Sequence, residues 1–241
     1  MKRMLLISGA WLGLTASIAS AGGISLAWDN CLGGGGVTNR IFTCNTNVGS
    51  NDLYVSFDPT TDLSDVNGAE VVVDLQSASN PLPAWWQLKN AGSCRLTSLS
   101  AAVGPGSCAT SWSGQAVAAI AAYYVTAVLP SIAFNQARIL AIAAVPSTDA
   151  APVHPGTEYT AVLIRINNAK TVGTGSCAGC LDQVCLAVDE VLLTTNNSGD
   201  LRMSIPPEYW CPGPPGTFVS WQGAPTPTQN RTWGQLKSIY R

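Results

Sequence analysis

Three cysteines crowd into the stretch GTGSCAGCLDQVCLAVDEVLL, residues 173–193, where Cys177 and Cys180 form a CxxC and Cys185 follows closely. That spacing suits four chemistries: a metal knuckle, a redox dithiol, a haem attachment site or a disulfide staple. Haem attachment needs CxxCH, and Leu181 stands where the histidine belongs. A thioredoxin-type dithiol sits between a strand and a helix in a βαβ unit, and no such pattern flanks this motif. A zinc knuckle needs thiolates, which an oxidising compartment disfavours. The compartment therefore decides the chemistry.

The chain opens MKRMLLISGAWLGLTASIASAGG. Lys2 and Arg3 make a positive start, Met4 to Ile18 an apolar run, and Ala19-Ser20-Ala21 a small-x-small cleavage site. This is the layout of a secretory signal over residues 1–21, and the apolar run is short for a membrane span. The exported chain is expected to begin at Gly22, with location outside the cell, on its surface or in the periplasm. All eight cysteines, Cys31, Cys44, Cys94, Cys108, Cys177, Cys180, Cys185 and Cys211, lie beyond that site. An even count in an oxidising compartment points to disulfides, with no metal and no cofactor. Proximity suggests Cys31 with Cys44 and Cys94 with Cys108, each closing a loop worth about 3 kcal/mol in the chain-entropy model. Cys177, Cys180, Cys185 and Cys211 are then expected to pair among themselves, with Cys211 tying the last segment to the cluster.

Other residues offer less chemistry. His154 is the single histidine and lies between prolines in APVHPGTEY, a loop composition that leaves it exposed. No GxSxG or HExxH gives it a catalytic setting. Asp189 and Glu190 are adjacent, so a regular strand points them to opposite faces. A hydrolase assembled from dispersed carboxylates remains an alternative that only the fold can build. DPTTDLSDVNGAE places Asp58, Asp62, Asp65 and Asn67 in one expected loop, a weak calcium candidate without the EF-hand spacing. Trp85 and Trp86 in PLPAWWQL, if extended, put one ring in the core and one outside. Joined by Tyr209 or Trp210 from PPEYWCPGPPG, an outward ring would form a platform for a sugar or a protein.

The elements that must position these residues read as strands. GISLAWD (23–29), RIFTC (40–44), DLYVSFD (52–58), AEVVVDLQS (69–77), ARILAIAAV (137–145), TEYTAVLIRIN (157–167), VCLAVDEVLLTT (184–195), DLRMSI (200–205) and TFVSWQ (217–222) alternate with Gly, Pro and Asn punctuation. This is an all-β pattern, a β-sandwich of Ig-like or jelly-roll-like kind stapled by disulfides, over residues 22–223. TEYTAVLIRIN does not alternate cleanly, so that strand is expected to be buried on both sides or bulged. AVAAIAAYYVTAVL (116–129) fits a central or buried strand, with a short helix as the alternative. At about 14 residues it falls short of the roughly 20 that span a bilayer, so no transmembrane segment is expected after the signal. Charged residues are only 11% of the chain, and losing Lys2 and Arg3 moves the formal charge from −2 to −4. Without a basic patch, nucleic acid is not an expected partner.

After Gly223 the composition changes. Residues 224–232 form a Pro/Thr linker, and 233–241 close with WGQLKSIYR. As a short helix, that tail puts Trp233, Leu236 and Tyr240 on one face, with Lys237 and Arg241 adding positive charge. An isolated helix so short needs a partner to fold against. LPAWWQLKNAGSCR, INNAKTVGTGSCAGC, VCLAVDEVLL and TWGQLKSIYR together resemble a set of exported bacterial β-rich proteins with a disulfide-bearing domain and a TWGxxKxxYR-type tail. The resemblance implies a secreted protein with a short terminal element and implies no activity. The combined expectation is a non-enzymatic secreted or cell-surface structural or interaction module. Its tail docks or sorts, and its partner is an unidentified protein or glycan. A carbohydrate-binding module and a hydrolase are the alternatives.

Overall fold

The computed structural model describes residues 23–223 apart from 90, 91, 105, 206–210 and 212. The expected signal (1–21), linker (224–232) and tail (233–241) lie outside the described residues, as do Tyr209 and Trp210. Within the described residues the strands are β1 (Gly23–Trp28), β2 (Asn39–Arg40), β3 (Ser50–Asp58), β4 (Leu63–Ser77), β5 (Leu99–Ala102), β6 (Ala118–Val125), β7 (Gln136–Ala144), β8 (Ala151–Val153), β9 (Tyr159–Asn167), β10 (Val184–Thr195), β11 (Leu201–Ser204) and β12 (Phe218–Trp221). They form a β-sandwich. A four-stranded sheet runs β1-β3-β9-β5, and an eight-stranded sheet runs β2-β12-β10-β4-β7-β6 with β11 added on β10 and β8 on β4.

The core lies between the sheets. Leu26, Trp28, Leu53, Val55, Ile164 and Ile166 face it from the small sheet; Val71, Val73, Leu75, Ile139, Ala141, Leu186 and Val191 face it from the large one, all buried. Each buried Val, Leu or Ile among them contributes roughly 1.5–3 kcal/mol by leaving water. β9 is buried on both sides and also bulged, since Val55 pairs with Val162 and Ser56 with Thr160, skipping Ala161. Residues 116–129 resolve as β6 followed by a turn. β6 is the edge of the large sheet and not a central strand, which corrects the expectation from its apolar composition. Likewise DVNG lies within β4, whose 15 residues carry the expected loop into the sheet.

Loops at one end of the sandwich are tied together by Cys44–Cys180 and Cys94–Cys177, and Cys185–Cys211 joins β10 to the segment before β12. Cys31–Cys108 is the fourth bridge. The pairing of sequence neighbours Cys31 with Cys44 and Cys94 with Cys108 is thus incorrect. The two cysteines of the CxxC also go to separate distant loops, not to each other. The physical reason is the strand order: neighbouring strands come from distant parts of the chain, so the loops that meet in space are far apart in sequence.

Cys31–Cys108 closes two loops over the outer face of the small sheet. Asn30 Nδ2 donates to Ser107 Oγ at 2.7 Å, and Ser107 N donates back to Asn30 Oδ1 at 2.9 Å. Gly104 lies so close over Leu163 that a methyl group there would stand 2.4 Å from Leu163 Cδ2. Under this roof the outward-pointing Tyr54 and Leu163 are buried. Among the described residues, the large sheet has no equivalent cover along most of its outer face.

Candidate functional site on the outer face of the large sheet

Strand alternation decides which side chains reach that face. In β7 the residues Ala137, Ile139, Ala141 and Ala143 point to the core, so Arg138, Leu140 and Ile142 point out. Pairing lines them up with neighbours in rows. One row is Ile120, Ile142, Glu70, Leu192 and Arg202; the next is Ala122, Leu140, Val72, Glu190 and Ser204. A third runs Tyr124, Arg138, Asp74 and Ala187. Ile120 is 64% exposed, and Val72, Leu140, Ile142 and Leu192 are half-buried. The result is an apolar strip across β6, β7 and β4, with carboxylates and two arginines toward β10 and β11. The whole face, polar border included, spans five strands at about 4.8 Å and three rows at about 7 Å, roughly 20 by 14 Å.

A bulge builds the acidic part. Val188 pairs with Val73 and Glu190 with Val72, leaving Asp189 without a partner on β4. Val188 and Val191 both face the core, so Asp189 and Glu190 both turn outward. The expectation that they point to opposite faces is corrected by this one extra residue. Asp74 takes a two-pronged hydrogen bond from Arg138, with Nε to Oδ1 at 2.6 Å and Nη2 to Oδ2 at 2.8 Å. Arg138 Nη2 also approaches Asp189 Oδ2 at 3.4 Å, and Glu190 pairs with Arg202. Asp74 holds the Arg138 guanidinium above its ordinary pKa through that hydrogen bond. Burial, then the neighbouring charge of Asp74, raises the Asp189 carboxyl above the usual range despite the pull of Arg138.

The expected aromatic platform is absent at Trp85 and Trp86. A short 3-10 turn, Ala84–Trp86, replaces extended backbone, and both rings are fully buried. Trp85 donates through Nε1 to Thr171 Oγ1 at 3.0 Å. Both rings pack on Trp221, with centroids at 4.9 and 5.1 Å, and Trp221 stacks on Phe42. The pair belongs to an aromatic plug at the end closed by Cys44–Cys180 and Cys94–Cys177. Arg95, 1% exposed, lies over Trp85 with its guanidinium carbon 3.6 Å from the ring centroid. It donates to the carbonyls of Trp85, Ala169 and Asn167, and burial lowers its pKa to about 9, which leaves it a cation at neutral pH.

The calcium candidates are also dispersed. Asp58 is buried at the end of β3 and accepts from Gly156 N at 2.8 Å. Asp62 pairs with the exposed His154 ring at 2.7 Å. Asp65 accepts from Asn197 N at 2.6 Å, while Asn67 Nδ2 donates to Asn196 Oδ1 at 2.7 Å. Each residue has its own protein partner, because Asp58 ends β3, Asp62 lies in the loop that follows, and Asp65 and Asn67 are carried along β4. Among the described residues, the metal-ligand types that converge are Cys31, Cys108 and Glu158, and two of these form a disulfide. A cleft of about 160 Å³ lies over Cys44–Cys180, edged by Arg40, Thr43, Thr46 and Asn168. It is smaller than the several hundred Å³ usual for ligand pockets.

Sequence reasoning missed the sheet face, although a signal was present. Both alternating sets of β7 are largely apolar, which in an antiparallel sheet means a second face that is covered or sticky. No family model and no curated protein matches the chain. Solved structures that match include a cohesin module from a Clostridium perfringens ATCC13124 family 33 glycoside hydrolase, at 7% identity and TM-score 0.32, covering 76% of this chain and 90% of that one. A type II cohesin domain from the cellulosome of Acetivibrio cellulolyticus matches at 12% identity and TM-score 0.34, covering 75% and 88%. The second type II cohesin module of an adaptor scaffoldin from the same organism matches at 9% and 0.33, covering 76% and 91%. The sandwich of this chain stands on its own strand pairing.

Proposed function

We propose that this chain is an exported, non-enzymatic structural or interaction module, working outside the cell, on its surface or in the periplasm, with residues 233–241 as a docking or sorting element. The observation that carries this reading is the outer face of the large sheet. Ile120, Leu140, Ile142, Val72 and Leu192 are not needed to fill the core, yet they form a continuous strip bordered by carboxylates. A monomer keeps such strips small, and one of this kind suits a protein surface with apolar and basic side chains. Four disulfides fit an oxidising compartment. Trp85 and Trp86 are buried, so neither supplies the outward ring on which a sugar platform was to be built.

The test expresses the full chain with its signal and follows partition between cells and medium. Three forms are compared: the native chain, a deletion of 224–241, and the face variant Leu140→Asp with Glu70→Lys. Both altered forms are expected to shift into the medium. If the deletion leaves location and assembly unchanged, the tail is not a docking element. If the face variant, shown folded by circular dichroism, also partitions as the native chain does, the module reading fails.

A further inference from the structure

The outer face of the large sheet has its chemical complement within the same sequence. Residues 224–241 carry Arg231, Lys237 and Arg241 with no aspartate or glutamate, alongside Trp233, Leu236, Ile239 and Tyr240. The face offers apolar rows beside Glu70, Asp74, Asp189 and Glu190, and among the described residues of its rows the basic side chains are Arg138 and Arg202. Apolar meets apolar, and the charges are of opposite sign. The outer face of the small sheet cannot serve, because the loops joined by Cys31–Cys108 already cover Tyr54 and Leu163.

Reach favours the same molecule. β12 ends with Trp221 opposite Val184, and Gly223 O accepts from Gln183 Nε2 at 3.1 Å, so the tail departs from the start of β10. The middle row, Leu140–Val72–Glu190, lies about five residues along the strands and two to three strands across, roughly 20 Å away. The linker 224–232 spans up to about 30 Å when extended. A tether of that length holds the tail near its own face at an effective concentration of the order of millimolar.

We propose that residues 233–241 bind the outer face of their own large sheet, with Trp233, Leu236 and Tyr240 on the apolar rows and Lys237 and Arg241 facing Glu70 and Glu190. The inference rests on the reading of this face as the binding surface. It makes the tail a strap that completes the surface an external partner meets, so deletion of 224–241 and the face variant disturb one and the same surface.

Zero-length carbodiimide cross-linking of the full chain tests it, with the joined peptides mapped by mass spectrometry. Lys237 is expected to join Glu70 or Glu190 within the monomer, at a yield that does not change on dilution. Ile142→Asp is expected to cut that yield about tenfold, which corresponds to about 1.4 kcal/mol. Glu70→Gln, a milder change, is expected to leave Glu190 as the remaining partner. Cross-links from Lys237 only to carboxylates off this face, or only between two chains, or none at all, overturn the proposal. A strap that fails here while the face variant still shifts into the medium leaves the module reading standing.

Discussion

Removing Cys44–Cys180 tests whether the disulfides act as one network. The two cysteines are 136 residues apart in sequence, and a free loop of that length would make the bridge worth about 5 kcal/mol in the chain-entropy model. The unfolded chain is already shortened by the other bridges. From Cys180 it is a few residues to Cys177, across to Cys94, on to Cys108, across to Cys31, and on to Cys44. That path is about 30 residues, for which the same relation gives about 3.7 kcal/mol. Without Cys94–Cys177 the shortest path grows to about 85 residues, and the value of Cys44–Cys180 rises to about 4.6 kcal/mol. A double-mutant cycle with Cys44→Ala/Cys180→Ala and Cys94→Ala/Cys177→Ala should therefore show a coupling of about 0.9 kcal/mol, each removal costing more in the absence of the other. Urea unfolding followed by tryptophan fluorescence reads the stabilities, with intact mass confirming the remaining bridges. Losses that add within about 0.3 kcal/mol would mean that the loops are independent, as sequence-neighbour pairing would make them, and would refute the reasoning.

Arg95→Met leaves three buried carbonyls without their donor and should cost about 3–5 kcal/mol; Arg95→Lys should recover little, since one ammonium cannot reproduce the fork. Urea midpoints within 1 kcal/mol of the native chain for either variant would contradict this. Asp189 has a raised pKa, so the folded state binds its proton more tightly, and its contribution to stability falls as pH rises from about 4 through the folded pKa. Asp189→Asn should then be as stable as the native chain or up to about 1 kcal/mol more stable at pH 7, with the difference shrinking at pH 3.5; a gain that grows on acidification would reverse the sign. Gly179 sits at φ +106° with Pro83 Cβ 2.2 Å from where a methyl would stand, so Gly179→Ala should destabilise the loop holding Cys177 and Cys180 by about 1–3 kcal/mol. An unchanged thermal midpoint would show that this loop yields freely.

Much of the fold was legible in the sequence because alternation and turn residues are local signals. β1, β3, β7, β9 and β10 fall where their β-branched runs are, and an even cysteine count pointed to bridges before any partner was known. The short β5 and β8 gave no periodicity to read, and DVNG looked like a turn although pairing on both sides holds it in β4. What the sequence alone determined is that the chain is β-rich and cross-linked, since those properties reside in single residues and their near neighbours. Which cysteines meet, whether Trp85 and Trp86 face in or out, and which carboxylates gather were decided by the tertiary structure. Cys44 finds Cys180 because strand order brings their loops to one end. Asp189 joins Glu190 on the outer face because one residue bulges between Val188 and Val191. These are long-range and register effects, in which shifting a single residue turns a side chain to the other face.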